Sequence, residues 1–257
     1  MMDEIDNDPE LVAQLLAALI KRSQRLVVMT GAGMSADSGL PTYRGVGGLY
    51  NDIVVDEHME IEEILHIDTF AKSPALTWKY LAEIERACRG ASANEGHRIL
   101  AKWQALTSVC VITQNVDGFH RDAGSEDLIE LHGNLRELYC CDCGSRLTVM
   151  SFEYDELPPR CGHCDGVVRP DVVLFGEMLP GKAVAAYEKA FDTRPDLVLS
   201  IGTSAGFPYI HGPVLDAAAQ GVTTVEINPG RTILSSTVAH RMTTGAMSAL
   251  KAIDRLL

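Results

Sequence analysis

Short apolar runs alternate with amphipathic stretches along most of this chain. Leu26-Val27-Val28-Met29 is wholly apolar and brief, which predicts a strand buried on both faces. The pattern recurs at Val109 to Thr113, Leu128 to Leu131, Asp196 to Ile201 and Val222 to Ile227. Each run stops at a polar or glycine-bearing turn: Thr30-Gly31-Ala32-Gly33, Gln114-Asn115-Val116-Asp117, His132-Gly133, Gly202-Thr203-Ser204 and Asn228-Pro229-Gly230. Helical periodicity fills the intervals. Asp8-Pro9-Glu10 predicts a capped helix start, with Leu11, Leu15, Leu19 and Ile20 as the buried stripe and Lys21-Arg22 at its end. Residues 61–103 read as helical, as do 181–191 and 211–220, and Met247, Leu250, Ile253 and Leu257 mark a final helix. Strand, polar turn and helix in repetition predict an α/β fold, a doubly wound parallel sheet with helices on both faces. Ligands bind such sheets beyond the carboxyl ends of the strands, where these polar turns fall. Residues 43–60, with Gly45, Gly47 and Gly48 and few core candidates, predict a long covering loop.

Composition narrows the class. The chain has 257 residues, 46% hydrophobic and 22% charged, enough for one large domain or a large and a small one. No apolar run approaches a bilayer span. The opening MMDEIDNDPE is acidic and lacks the basic and apolar regions of a signal peptide, so a cytoplasmic protein is expected. A net charge of −13 without a basic patch argues against nucleic acid. It suits a basic partner such as a lysine-bearing protein segment, or serves solubility alone. The acidic cluster Asp52, Asp56, Glu57, Glu60, Glu62 and Glu63 reads as a solvated face.

Four of the seven cysteines form Cys140-x-x-Cys143 and Cys161-x-x-Cys164, with 17 residues between the pairs. That spacing points to one structural zinc ion (Zn2+) in a closed four-thiolate site. The intervening segment, with Pro158-Pro159 and few large apolar residues, has no core of its own and needs the metal to fold. Cys141 and His163 are read as bystanders. A redox dithiol is the competing reading of each C-x-x-C pair, and two pairs at this spacing disfavour it.

A strand followed by Gly31-Ala32-Gly33 is compatible with a phosphate cradle or with a tight strand–helix turn. The longer string continues through Ser35, Ala36, Ser38, Gly39, Pro41, Thr42, Tyr43 and Arg44. It resembles the nicotinamide-dinucleotide loop of the sirtuin family of protein deacylases. Thr113-Gln114-Asn115-Val116-Asp117, Glu130-Leu131-His132-Gly133-Asn134 and Arg169 to Glu177 resemble further sirtuin elements. So do Gly202-Thr203-Ser204 and Ile227-Asn228-Pro229. All stand in family order, from about residue 20 to the C-terminus, with the four-cysteine insert in its family place.

The resemblance implies a Rossmann-like NAD domain in three parts, 1–42, 104–136 and 169–257. A covering loop with a helical module would occupy 43–103 and a zinc ribbon 137–168. It implies NAD-dependent removal of acyl groups from protein lysine. NAD would be held by Gly31, Ala32, Gly33, Ser35, Ala36, Tyr43, Arg44, Gln114, Asn115 and Asp117, with Gly202, Thr203, Ser204, Asn228, Pro229 and Ala246 at the nucleotide end. Asn115 and Asp117 would orient the nicotinamide–ribose end, and the acyl oxygen would attack the ribose C1′. His132 would act as general base on the ribose hydroxyls, an assignment that suits an imidazole. Val172, Phe175, Gly176 and Glu177 would meet an acylated-lysine peptide in strand-like fashion. No nucleic acid and no membrane would be involved. ADP-ribosyl transfer or NAD hydrolysis needs the same pocket and is the alternative enzyme reading; an NAD-sensing module is the non-enzymatic one. From the residues alone, a structural histidine is the favoured reading of His132, and Asn115 and Asp117 can be turn formers or a helix cap. Tyr43 stands where the family usually has phenylalanine. Aligned on Trp78, the positions that carry tyrosine and arginine in sirtuins favouring acidic acyl groups hold Leu81 and Ile84. Ala205-Gly206-Phe207-Pro208-Tyr209 departs from the usual aliphatic stretch.

Overall fold

The computed structural model describes residues 9–41 and 59–257. The expected cap Asp8, most of the covering loop and the acidic residues Asp52, Asp56 and Glu57 lie outside them. From the N-terminus run helix α1 (Pro9–Arg22), strand β1 (Arg25–Thr30), and two single 3-10 turns at Ala32–Met34 and Ala36–Ser38. Helices α2 (Ile61–Ile64), α3 (Ile67–Lys72), α4 (Pro74–Cys88) and α5 (Glu95–Trp103) follow. Then come β2 (Ser108–Thr113), α6 (Phe119–Asp122), β3 (Leu128–Glu130), β4 (Gly133–Cys140), β5 (Arg146–Thr148) and β6 (Val168–Val172). The chain closes with α7 (Gly181–Asp192), β7 (Leu197–Ile201), α8 (Pro208–Ala219), β8 (Thr223–Ile227), β9 (His240–Met242) and α9 (Ala246–Asp254).

Six strands form one parallel sheet in the order β3-β2-β1-β7-β8-β9. The chain winds outward from β1 through β2 to β3, then returns to β7 on the other side. The order therefore reverses between β1 and β7, where an open α/β sheet leaves a crevice for ligands. Register levels the strand ends: Thr30 pairs with both Thr113 and Ile201. This puts Gly31, Gln114 and Gly202, the next residues of three strands, on one edge.

Period-2 alternation divides the core. Leu26, Val28, Val109, Val111, Leu197 and Leu199 face one way, against α1, α5 and α9. Val27, Met29, Cys110, Ile112 and Val198 face the other, against Tyr187 and Ala190 of α7 and Ile210 and Val214 of α8. The stripe of α1 corrects the sequence expectation. Val12, Ala13, Leu16, Ala17 and Ile20 are buried, Leu11 is exposed, and Leu15 and Leu19 are half-buried. The small residues let the helix lie close on the sheet, so the close-packed face is not the leucine-rich one. In α9 likewise, Ala246 and Ala249 join Leu250 and Ile253 in the core, and Met247 is only half-buried.

A second, antiparallel sheet, β5-β4-β6, carries the cysteines. Its apolar side shares a cluster with α2 and α4. Trp78 of α4 is fully buried there: its indole N–H donates to the Val168 carbonyl at 2.8 Å, and its ring meets Phe152 edge-on at 5.2 Å. The insert thus borrows its core from the helices.

Candidate functional site

Backbone contact builds the floor of the site. The Gly31 amide donates to the Ile201 carbonyl at 3.2 Å, and the Gly33 amide to that of Gly202 at 2.8 Å. A Cβ at position 31 would stand 2.7 Å from Thr203 Cβ, and one at position 33 would stand 2.7 Å from Gly202 Cα. Glycine is therefore required at both positions for the ends of β1 and β7 to touch. Ala32 and Ala36 lie in the turns that follow, Ala36 exposed.

Polar side chains from three strand ends tie together above this floor. Ser35 Oγ donates to Asp117 Oδ2 at 2.7 Å, and the Asn115 side-chain amide donates to Ser35 Oγ and the Gly31 carbonyl, both at 3.1 Å. Gln114 Nε2 donates to Thr203 Oγ1 at 2.9 Å. Asp117 Oδ1 accepts the Phe119 amide at 2.9 Å, so this residue is both a turn former and a member of the group. Burial raises the Asp117 carboxyl above its ordinary range, opposed by the Phe119 and Ser35 hydrogen bonds.

His132 follows β3. Its Nδ1 lies 2.9 Å from the Gln114 carbonyl, which can only accept, so Nδ1 carries the hydrogen and, in the neutral ring, Nε2 the lone pair. Burial lowers the imidazole's proton affinity, partly offset by the Gln114 carbonyl. Nε2 is met by the hydroxyl of Tyr209 at 3.0 Å. Gln114 joins the whole: backbone to His132, side chain to Thr203, and a neighbour in sequence of Asn115.

The structure thus brings Gly31, Gly33, Ser35, Gln114, Asn115, Asp117, His132, Gly202 and Thr203 into one hydrogen-bonded group. Asn228 joins it by donating to the Thr203 carbonyl at 3.0 Å. Ser204 and Pro229 are exposed nearby in sequence, and Ala246 is buried in the sheet core at the start of α9. Tyr43 and Arg44 lie outside the described residues. Val172 ends β6, paired with Gly133 beside His132, and the Val173 amide donates to the His132 carbonyl at 3.0 Å. Phe175 uses its amide on Leu65 and its carbonyl on Ile67, both at 2.9 Å, so its backbone is engaged within the protein. Gly176 follows with φ at +81°. Glu177 is held by Arg169 at 2.8 and 3.0 Å and accepts the Leu174 amide at 2.7 Å.

Two buried histidines behind this group escaped the sequence reading as partners. His120 Nε2 lies 3.0 Å from Thr30 Oγ1, and His97 Nδ1 accepts the Asn94 amide at 3.2 Å. Their rings are 4.7 Å apart, and His97 Nε2 and His120 Nδ1 are without hydrogen-bond partners. Burial pushes the two down to about 4 and about 3. Folded, each refuses a proton that the unfolded chain accepts below its ordinary value near 6.5, so stability is full above that and falls with pH. Treated singly, each accounts for about 2 kcal/mol lost by pH 5. The raised Asp117 acts in the opposite sense, so the histidines must outweigh one carboxyl. The urea midpoint is expected to drop clearly between pH 7.5 and pH 5; an unchanged midpoint would count against this.

At the far end of β4, the sulfurs of Cys140, Cys143, Cys161 and Cys164 lie within 4.8 Å of one another. The Cys140–Cys164 and Cys143–Cys161 separations are 3.5 and 3.7 Å. A tetrahedral zinc–thiolate site has edges of about 3.8 Å. The Cys143 and His163 amides point at Cys140 and Cys161 sulfurs at 3.5 Å, as suits thiolates. The cluster fits a structural zinc ion, with Cys141 and His163 outside it.

The model of the Sir2 family matches residues 31–207. The chain belongs to the Sir2 family. The resemblance carried by the motifs is thereby borne out, as are the α/β fold and the zinc-binding insert. Among relatives, the NAD-dependent protein deacylase 2 of Pseudomonas aeruginosa is 48% identical over 239 residues, covering 91% of this chain and 93% of that protein. The NAD-dependent protein deacylase of Aquifex aeolicus is 36% identical over 231 residues, covering 89% and 93%. A Sir2 homologue solved as its NAD complex superposes with a TM-score of 0.85 at 34% identity, covering 94% of this chain and 92% of that one. A Sir2–p53 peptide–NAD+ complex gives 0.80 at 29%, covering 94% and 96%. Among the described residues, no helix of this Sir2 protein is long and apolar enough to cross a membrane.

Proposed function

We propose that this Sir2-family chain is an NAD-dependent protein-lysine deacylase, releasing nicotinamide, free lysine and O-acyl-ADP-ribose. The observation that carries the reading is the imidazole of His132, hydrogen-bonded to the same strand end that places Asn115 and Asp117 beside the glycine contact of β1 and β7. The dinucleotide supplies a glycosidic carbon with a good leaving group already attached. What remains for the protein is to orient that carbon and to take a proton.

Gly31, Ala32, Gly33, Ser35 and Ala36 are assigned to the dinucleotide as the turn beneath it, the Gly31 and Gly33 amides themselves serving the β1–β7 contact. Gly202, Thr203, Ser204, Asn228, Pro229 and Ala246 are assigned to the nucleotide end. Asn115 and Asp117, braced by Ser35, orient the nicotinamide–ribose end, and Gln114 braces His132. Tyr43 and Arg44 enter on sequence alone. His132 takes a proton from a ribose hydroxyl at Nε2 while Gln114 keeps Nδ1 protonated. Val172, Phe175, Gly176 and Glu177 flank the acyl-lysine segment; with its backbone engaged, Phe175 offers its ring. The division of the chain at 42, 103, 136 and 168 and a cytoplasmic location complete the proposal.

Incubation with NAD and an acetyl-lysine peptide, with products identified by mass, is the test. Acyl-ADP-ribose with deacetylated peptide supports the reading. ADP-ribosylated protein, or ADP-ribose alone, would replace it with transfer or hydrolysis.

Leu81 is buried and Ile84 half-buried in the apolar cluster of the helical segment, so neither offers a cation to an acidic acyl group. Acetyl and longer apolar acyl groups are therefore expected to turn over faster than succinyl on paired peptides. Faster turnover of the succinyl peptide would defeat this.

A further inference from the structure

The hydroxyl of Tyr209 sits where the general base of this reading needs to be open. With Nδ1 donating to Gln114, Nε2 has a single lone pair, and the phenol O–H donates to it at 3.0 Å. Burial raises the Tyr209 phenol, which keeps it protonated and a donor. Its placement is built from sequence. Pro213 lies four residues on in α8 and has no N–H, so the Tyr209 carbonyl lacks its helical partner. The hydroxyl of Tyr187, from α7, fills that vacancy on the carbonyl. Phe207 stacks on the Tyr209 ring at 5.3 Å and 12°, and the His132 ring meets it edge-on at 6.0 Å. Backbone and ring are thus held from three sides.

We propose that Tyr209 is a positioning residue that caps His132, donating its hydroxyl to the Nε2 lone pair when no dinucleotide is bound and yielding that place to a sugar hydroxyl when the dinucleotide enters. A lone pair accepts one hydrogen bond well, so phenol and ribose hydroxyl compete for the same point. The tautomer itself is set by the Gln114 carbonyl, which can only accept from Nδ1, and the phenol, able to donate or accept, donates to the lone pair that this leaves at Nε2. The role rests on the deacylase reading; the tautomer and the cap do not.

The experiment has two arms. In the first, 15N spectra of the NAD-free wild-type protein are expected to show His132 protonated at Nδ1, with Nε2 a hydrogen-bonded acceptor. Added NAD should change the Nε2 signal. An Nε2–H tautomer, or an Nε2 signal unmoved by saturating NAD, overturns the proposal without reference to any activity. In the second, Tyr209→Phe keeps the ring contacts and removes the cap. A neutral hydrogen bond to the unprotonated imidazole is worth about 1 kcal/mol, so the acidic limb of kcat/KM should move up by about half a pH unit to one. The acidic limb of kcat should stay in place, because the cap has already yielded in the bound complex. Both limbs moving together, or neither, overturns the proposal. So does a tenfold fall in kcat at the optimum, which would make the phenol a proton relay. Wild-type protein that turns over no acyl-lysine peptide defeats the deacylase reading and leaves the first arm standing.

Discussion

His132→Ala is expected to lower kcat for deacetylation by about 10²–10⁴, the range of a positioned general base. The fold should survive. His132 is half-buried, its two partners are a carbonyl and a phenol at the rim of the crevice, and water can replace the ring against both. The loss should fall on kcat and much less on the KM for NAD, because the phosphate cradle and the Asn115–Asp117 pair are untouched. Exchange of labelled nicotinamide into NAD, which draws on orientation and not on a base, should persist. That split separates a missing base from a collapsed pocket. Asn115→Ala should do the reverse: without the Asn115 amide, Ser35 Oγ and the Gly31 carbonyl lose their donor. Nicotinamide exchange would then fall together with deacetylation. Deacetylation by His132→Ala within tenfold of wild type would remove His132 from the chemistry and revive its reading as a structural histidine.

The sheet was legible because buried parallel strands have to be short apolar runs, and all five runs named from sequence became its strands. The turns after them were legible for the same reason: level strand ends gather the residues that follow. What escaped depends on partners remote in sequence. The face of α1 is not legible because leucines dominate its apolar pattern, whereas close packing on a sheet selects Val12, Ala13 and Ala17. Strand β9 is three residues at an edge, too short to carry a period. His97 and His120 are separated by β2 and meet only after α5 folds over the sheet. Asn94 three residues before His97 is readable as a capping box; the second ring is not. Tyr209 was visible only as a departure from the family stretch. Its meaning needs Pro213 to leave a carbonyl open, Tyr187 to close it and Gln114 to fix the tautomer of His132. The backbone of Phe175 looks free in sequence; a single parallel bridge to His66, made through Leu65 and Ile67, takes it.

Removal of zinc is expected to abolish activity although the metal is far from the chemistry. The path runs through β4. That strand ends at a ligand, Cys140, and begins at Gly133, beside His132. Its partner β6 reaches Val172 opposite Gly133, and the next residue, Val173, holds the His132 carbonyl. Loss of four metal–thiolate bonds leaves a segment with only the core it shares with α2 and α4, and structural zinc sites contribute on the order of 10 kcal/mol. As the β4–β6 ladder frays, the Val173 contact goes, and with it the backbone that aims the imidazole. A strong chelator should therefore lower kcat more than tenfold, with zinc restoring it. Trp78 gives an independent reading, because its indole bonds the Val168 carbonyl in β6. Its emission should shift to the red on chelation, while Trp103, packed in the sheet core, should not respond. A Trp103→Phe variant isolates the signal. Cys161→Ser should reproduce the chelated state and resist rescue by zinc. If chelated protein keeps both its emission and its turnover, the ribbon folds on borrowed core alone and the metal is dispensable to the site.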